Sequence, residues 1–302
     1  MKKRGWTIAR RIVQVCALVL FCLPVLVAGW GLLGLFEGGD VRVPTPAEGV
    51  FFGTLSSSTV AGVTLLDPFA VLQIAAASLS FDPKWLVGAL PVLLVYGLIR
   101  GRAFCGWVCP VGLLSEGVDW LARKLKIERS CVPVPRRAKV GLAAAVLVLS
   151  AVTGVAAFEV INPISAINKG LVLGSSVGVW VLAAIVVVEL LWAPRVWCRS
   201  LCPLGGFYEV LGRVGLVNVR IDHDACIDCG LCKKACPADP AILDEPVAGA
   251  DCMVRAGDCM ACGACVEACP TRALAMKLGR PGKPEAPKPV AAATDSERLA
   301  SE

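Results

Sequence analysis

Two runs near the C-terminus decide the fold of this chain: Cys226-Ile-Asp-Cys229-Gly-Leu-Cys232-Lys-Lys-Ala-Cys236-Pro237 and Cys259-Met-Ala-Cys262-Gly-Ala-Cys265-Val-Glu-Ala-Cys269-Pro270. Both have the spacing C-x2-C-x2-C-x3-C-P, which is typical of bacterial ferredoxins with two [4Fe–4S] clusters. Three thiolates two residues apart can wrap one face of a cubane from a tight loop, where Gly230 and Gly263 relieve the backbone. Zinc sites rarely use this run twice, so the spacing predicts an iron–sulfur domain rather than a zinc site or disulfides.

In such runs the fourth cysteine ligates the other cluster, which divides the eight thiols into two crossed sets. The first predicted cluster is held by Cys226, Cys229, Cys232 and Cys269. The second predicted cluster is held by Cys259, Cys262, Cys265 and Cys236. Clusters of this kind need reduced thiols, so this part of the chain is expected on the cytoplasmic side.

The composition indicates a membrane protein. Of the 302 residues, 56% are hydrophobic and only 18% are charged, which is too apolar for an ordinary soluble protein. Eight Trp against one His and two Tyr favour side chains that anchor at a membrane interface. The net charge of +6 is modest and unevenly distributed, so we interpret it as a topology signal and predict no nucleic-acid partner.

Four apolar runs predict transmembrane helices: Ile12–Phe36, Trp85–Ile99, Val140–Phe158 and Gly174–Trp192. A further apolar stretch, Val60–Leu79, is broken by Asp67-Pro68 and predicts a re-entrant or interfacial helix. Lys and Arg are nearly absent from residues 37–84 and 159–173 and frequent elsewhere. The positive-inside rule then predicts a multi-pass protein of the bacterial cytoplasmic membrane, with both termini and the clusters in the cytoplasm.

The predicted fold is mainly α and has three parts. Residues 1–214 form a four-helix transmembrane domain, and residues 215–280 form a two-cluster ferredoxin-like domain of α+β type. Residues 281–302 are rich in Pro, Ala, Lys and Glu without apolar periodicity, so a disordered tail is predicted there.

A second internal repeat lies in the N-terminal part: Arg102-Ala-Phe-Cys105-Gly-Trp-Val-Cys109-Pro110-Val-Gly aligns without gaps with Arg195-Val-Trp-Cys198-Arg-Ser-Leu-Cys202-Pro203-Leu-Gly. Cysteines at i and i+4 share one helical face, or bracket one turn where Pro starts the next helix. Two matching copies favour redox chemistry, metal ligation or partner binding by four thiols: Cys105, Cys109, Cys198 and Cys202. The alternative is a structural turn with buried thiols.

The two Cys-x3-Cys-Pro repeats, the four predicted spans and the terminal two-cluster run resemble the NapH/MauN group of ferredoxin-type membrane proteins. Further matches are Leu55-Ser56-Ser57-Ser58, Leu66-Asp67-Pro68, Ile161-Asn162-Pro163-Ile164-Ser165 and Asp258-Cys259-Met260. The resemblance implies quinol oxidation and two [4Fe–4S] clusters, as in the quinol dehydrogenase component of periplasmic nitrate reduction. It also implies a ferredoxin or multihaem cytochrome c partner, so that the chain is an electron-transfer subunit rather than a stand-alone enzyme.

Acidic residues near the predicted membrane boundary are candidates for a quinol and proton site. Quinol oxidation releases protons, and Asp67 and Glu159 could accept them, although either could equally be a solvated boundary residue. Glu189 lies inside the fourth apolar run, where pairing with an Arg near its end is the simplest explanation.

Two other functions are compatible with the same residues. The protein could be an accessory protein whose Cys-x3-Cys-Pro repeats reduce or deliver a metal for another enzyme, or a passive anchor for a soluble ferredoxin. Metal capture predicts extra Met or His near the repeats, and there is almost none.

Overall fold

The computed structural model describes residues 5–32, 51–53, 57–60, 63–127, 137–167 and 176–279, and the single positions 129 and 135. In the first helix, the surroundings of the side chains are described as far as Phe21. The tail predicted at residues 281–302 lies outside the described residues, as do Leu55 and Ser56 of the family motif.

The described part of residues 5–214 is mainly helical. Its helices are α1 (Gly5–Leu32), α2 (Pro68–Ser78), α3 (Pro83–Ile99), α4 (Ala103–Trp107), α5 (Pro110–Lys124), α6 (Ala138–Thr153), α7 (Ala157–Ile161), α8 (Ser176–Leu191) and α9 (Pro203–Leu211). Four of these, α2, α3, α5 and α9, begin with Pro in the first turn, where the missing N–H costs no hydrogen bond. A π-helical turn, Trp197–Leu201, precedes α9, and a 3-10 turn, Gly212–Val214, follows it.

A small antiparallel sheet lies before α2. Its strands β1 (Phe51–Gly53), β2 (Ser57–Val60) and β3 (Val63–Leu66) pair in that order. Strand β3 packs on α3 so closely that a Cβ on Gly88 would lie 2.9 Å from Leu66 Cδ1. The predicted helix over Val60–Leu79 is therefore helical only after Asp67, which caps α2.

The C-terminal part forms around a two-stranded sheet. Strand β4 (Val217–Ile221) pairs antiparallel with β5 (Leu274–Leu278), so the two ends of this part of the chain meet. Between them lie short helices: α10 (Leu231–Ala235), a 3-10 turn (Pro240–Leu243), α11 (Asp244–Val247) and α12 (Ala264–Ala268). The division at residue 214/215 stays a prediction.

The predicted four-helix transmembrane domain is wrong for the residues that the structure describes: no helix among them is long and apolar enough to cross a membrane. Helices α3, α6 and α8 contain 17, 16 and 16 residues. At 1.5 Å per residue they reach about 24–26 Å, less than the ~30 Å of a hydrocarbon core. The predicted span Val140–Phe158 is interrupted because Gly154 takes a left-handed φ of 69° and ends α6.

The cations used to orient the predicted spans have a different role. Arg100, Arg102 and Lys139 are each only 1% exposed and bind groups of the C-terminal part, rather than lying on the surface. In α1, Arg10 and Gln14 are also buried against neighbouring chain segments. These cations therefore take part in internal pairing, and the predicted orientation stays a prediction.

Candidate metal centre

The two cysteine runs form loops of the same shape. Gly230 and Gly263 adopt left-handed φ values of 67° and 71° immediately before α10 and α12. Asp228 and Ala261 are left-handed two residues earlier in each loop, with φ values of 46° and 48°. Each loop therefore curves around one space with its first two cysteines, and the third cysteine lies in the first turn of the short helix that follows.

The thiols of each predicted cluster set line one cavity. Cys226, Cys229, Cys232 and Cys269 border the first cavity. Cys236, Cys259, Cys262 and Cys265 border the second cavity, whose walls include Val219, Ile242 and Leu243. The fourth cysteine of each run thus lies at the cavity of the other run, as the spacing predicts for crossed ligation.

The cavities match a cluster in the type and number of their donors. A zinc ion needs its thiolates at about 2.3 Å, whereas a cubane is itself several ångströms across and needs thiolates around a wider space. Four thiols around a cavity therefore fit [4Fe–4S] ligation.

The two cavities differ in exposure. At the first cavity Cys229 is exposed, and the neighbouring Ile227 is 63% exposed. At the second, Cys259 and Cys262 are buried. Helix α1 covers the second loop so tightly that a Cβ on Gly263 would lie 2.5 Å from Trp6 Cγ. The first site is the more accessible to a partner protein.

The Cys-x3-Cys-Pro repeats adopt the turn that the sequence left as one of two options. Cys109 and Cys202 are extended residues that precede α5 and α9, and Pro110 and Pro203 open those helices. Cys105 lies in α4 and Cys198 in the π-helical turn. Each cysteine pair therefore brackets one turn at the start of a helix.

The structure brings the four repeat thiols together at one cavity: Cys105, Cys109, Cys198 and Cys202 all line it. Its walls are largely apolar and include Phe104, Val111, Phe158, Ile164 and Leu204. Burial raises the pKa of the Cys198 thiol, and it raises the pKa of Cys202 to about 12. These thiols are therefore protonated near pH 7 unless a bound metal replaces their protons.

The first repeat touches the loop of the second cluster set directly. A Cβ on Gly106 would lie 3.1 Å from Met260 Cβ and 3.7 Å from Cys262 Cβ. Trp107 Nε1 donates a hydrogen bond to the carbonyl of Ala261 at 3.1 Å. The thiol-lined cavity of the repeats therefore adjoins the loop of the second cluster set.

A buried ion network ties the same loop to the helices. Asp258, which precedes Cys259, accepts a hydrogen bond from Arg102 Nη1 at 2.7 Å and another from Lys139 Nζ. Lys139 also pairs with Glu209 at 3.3 Å. Sequence reasoning missed Lys139, because it is 119 residues from Asp258 and no local pattern links them.

Arg100 binds a second set of groups in the C-terminal part. Its Nη2 donates to the carbonyls of Val254 and Ala256 at 2.9 and 2.7 Å, and its Nη1 donates to Asn218 Oδ1. The side chain is buried at the end of α3. Arg100 and Arg102 together hold the cysteine-rich part against the helices.

The two carboxylates predicted for a proton site are neighbours. Asp67 caps α2 by accepting a hydrogen bond from the N–H of Phe69 at 3.2 Å. Burial raises the pKa of Asp67 to about 7, and the nearby Glu159 adds to the rise. Glu159 accepts hydrogen bonds from Asn162 Nδ2 at 2.9 Å and Ser165 Oγ at 2.6 Å. Because Asn162 lines the cavity of the repeat thiols, Glu159 lies one residue away from it.

Glu189 has a different partner from the predicted Arg. Its Oε1 accepts a hydrogen bond from Ser115 Oγ at 3.0 Å, whereas Arg195 pairs with Asp119 at 2.7 Å. Ser115 Oγ is also 3.9 Å from Cys198 Sγ. A buried carboxylate therefore lies behind the thiol cavity, a contact that the hydropathy pattern did not reveal.

Comparison with known proteins matches both cysteine regions. A family model described as a 4Fe-4S binding domain matches residues 81–128 and 174–221, the segments that carry the repeats. A second, described as a 4Fe-4S dicluster domain, matches residues 218–270. No solved structure matches the chain.

Curated relatives cover most of the chain. The methylamine utilization ferredoxin-type protein MauN of Paracoccus denitrificans is 35% identical over 90% of this chain and 89% of its own length. The ferredoxin-type protein NapH of Escherichia coli is 33% identical over 82% of each chain. NapH of Haemophilus influenzae is 32% identical over 72% of this chain and 75% of its own.

These matches extend across both parts of the molecule, so they confirm the resemblance that the cysteine motifs predicted. The chain is a ferredoxin-type electron-transfer protein with 4Fe–4S binding domains. It belongs to the MauN and NapH family of ferredoxin-type proteins.

Proposed function

We propose that this protein oxidises quinol and passes the electrons through two [4Fe–4S] clusters to a redox partner of a periplasmic reductase, such as a nitrate reductase. The observation that carries the proposal is the contact of Gly106 with Met260 and Cys262. It joins the thiol-lined cavity to the loop that would hold the second cluster. Bound clusters supply one-electron storage, and the residues of this chain ligate them and set their distances.

The entry side of this route lies at Asp67 and Glu159. Quinol oxidation releases two electrons and two protons, so the substrate needs a proton acceptor beside an electron acceptor. Asp67 can accept a proton near neutral pH, because burial has raised its pKa to about 7. Glu159 is linked through Asn162 to the thiol cavity. We therefore propose that the quinol head group binds beside these two carboxylates.

The exit side lies at the first cysteine set. Its cavity is bordered by Cys226, Cys229, Cys232 and Cys269, and Cys229 is exposed. The second set is covered by α1, which contacts it through Trp6. A ferredoxin or multihaem cytochrome c that docks at the first set would receive electrons after they have passed the second.

We also propose that the protein works at the bacterial cytoplasmic membrane, where quinol is dissolved. Val87 on α3, Val152 on α6 and Trp180 on α8 are 69%, 79% and 73% exposed, respectively. Exposed apolar faces of this kind contact partner proteins or lipid. The reduced thiols that the clusters require favour their placement on the cytoplasmic side.

The direct test of the proposal is anaerobic stopped-flow reduction of the purified, detergent-solubilised protein by duroquinol. We expect the visible absorbance of the oxidised clusters to bleach, with about one electron accepted per cluster. Clusters that dithionite reduces but that no quinol reduces would refute quinol oxidation. The accessory function in metal delivery would then be the better explanation.

The raised pKa of Asp67 predicts the pH dependence of this reaction. The carboxylate must be ionised to accept a proton, so the rate of reduction by duroquinol should rise with pH and level off above about 7. Asn can also cap a helix. Asp67→Asn should therefore keep α2 intact but lower the rate and remove the rise near pH 7.

Asp82 offers a matched control, because it caps α3 before Pro83 by accepting from the N–H of Lys84 at 2.9 Å. Asp82→Asn should leave both the rate and its pH profile unchanged. A wild-type profile in Asp67→Asn would show that Asp67 is only a helix cap.

A further inference from the structure

The four thiols of the repeats are left over when the eight ferredoxin cysteines are assigned. They come from two distant segments, yet Cys105, Cys109, Cys198 and Cys202 border a single cavity. The third residue after the second cysteine of each repeat is a glycine, Gly112 and Gly205, and both line the same cavity. The duplication thus places four possible thiol ligands around a single cavity, together with two glycines, which leave space because they have no side chain.

Two buried donors at this cavity have no acceptor among the described residues. Arg102 Nε and Trp197 Nε1 are inaccessible and make no hydrogen bond, and both residues line the cavity. The other guanidinium nitrogens of Arg102 bind Asp258 and the carbonyl of Cys198, both at 2.7 Å. A buried N–H without an acceptor is unfavourable, so these donors point to a ligand that carries acceptors.

The electrostatics of the cavity favour an anionic ligand. Cys109 and Cys202 stand at the N-termini of α5 and α9, which contain 15 and 9 residues. Neither helix has a side-chain cap there, so the first-turn N–H groups and the positive end of the helix dipole are available to thiolates. Arg102 adds a buried positive charge beside Cys105.

From this arrangement we propose that Cys105, Cys109, Cys198 and Cys202 ligate a third iron–sulfur cluster, of the [4Fe–4S] type, in addition to the two of the proposed function. Four thiolates complete its coordination, and its sulfides accept the hydrogen bonds of Arg102 Nε and Trp197 Nε1. The family model that matches both repeat segments is described as binding 4Fe-4S but names no ligands. One pair of thiols from each segment supplies the ligands of one cluster.

The third cluster would lie next to the second. Cys105 and Cys198 also border the space between the repeats and the C-terminal part, together with Pro237 and Met260. The cluster would accept one electron from quinol at a time and pass it to the second cluster, while the two quinol O–H bonds break and their protons go to the carboxylates of the proposed function, Asp67 and Glu159. The site itself does not depend on quinol being the donor.

Iron and acid-labile sulfide in anaerobically purified full-length protein test the proposal without any quinol assay. We expect about twelve irons and twelve sulfides per chain, and about eight of each in the Cys105→Ser/Cys109→Ser/Cys198→Ser/Cys202→Ser variant. Cys16→Ser, which changes an exposed cysteine of α1, should retain about twelve. About eight irons in the wild type, or zinc without extra sulfide, would overturn the proposal.

A second variant keeps all the thiols and so remains informative if the fourfold variant does not fold. Trp197→Phe removes one buried N–H donor, and hydrogen bonds to cluster sulfur raise its reduction potential. In an EPR-monitored redox titration, one of three cluster signals should shift to a lower potential, with the other two unchanged. Only two cluster signals, or three at wild-type potentials, would count against the site.

Discussion

Serine in place of Cys109 or Cys202 is expected to stop reduction of the ferredoxin clusters by quinol while leaving their reduction by dithionite intact. Both cysteines border the cavity that adjoins the second cluster loop. Loss of a group that supports a metal ligand already costs about 10–100-fold in activity. Because these thiols are themselves proposed ligands, we expect the quinol-driven rate to fall about 100-fold or more.

The measurement is stopped-flow bleaching of the cluster absorbance with duroquinol and, separately, with dithionite. Dithionite reaches the exposed first set, bordered by Cys229, without passing the repeats. The eight ferredoxin thiols are unchanged in both variants, and Cys16→Ser on α1 serves as the matched cysteine control. Wild-type rates with duroquinol in both variants would mean that the repeats have only a structural role.

Replacement of Asp258 by Asn is expected to produce the largest loss of stability. The carboxylate lies between Arg102 and Lys139, and the side chains of all three are at most 2% exposed. Without it, Lys139 keeps its pair with Glu209, whereas Arg102 loses the carboxylate with which it is paired. Breaking a buried ion pair on one side costs about 3–5 kcal/mol, because the unpaired charge stays out of water.

The free energy of unfolding should be measured anaerobically by guanidinium denaturation, followed by circular dichroism and by loss of cluster absorbance. Asp244→Asn is the matched control, since Asp244 pairs with Lys233 at 2.9 Å on the surface and is 59% exposed. An exposed pair contributes less than about 1 kcal/mol. Equal effects of the two substitutions would contradict a stabilising role for the buried network.

The iron–sulfur class and the family could be predicted from the sequence alone. Ligand spacing in the runs from Cys226 to Cys236 and from Cys259 to Cys269 is a local property, because each loop closes around its own three cysteines. For the repeats, local reasoning left two options, a shared helical face or a turn before Pro110 and Pro203, and the structure shows the turn. The assignment of particular thiols to each cluster stays a prediction, and the cavities give it a geometric basis.

The transmembrane prediction failed because hydropathy measures the composition of a run but not its continuity as a helix. The apolar run Val140–Phe158 contains Gly154, where the backbone turns left-handed and α6 ends. Among the cations that suggested an orientation, Arg102 and Lys139 are buried in ion pairs with Asp258 of the C-terminal part. Charge counting treats every Lys and Arg as exposed, so it could not detect this pairing.

The spacing of the cysteines predicts iron–sulfur chemistry, since that spacing involves neighbours only a few residues apart. The distant groups that meet are visible only in the folded protein: Arg102 binds Asp258 across 156 residues, and the thiols of the two repeats line one cavity. These contacts form because α5 and α9 start at equivalent cysteines and the ferredoxin loop packs on Gly106. Such contacts depend on how the elements pack, and packing between distant segments leaves no periodic signal in the chain.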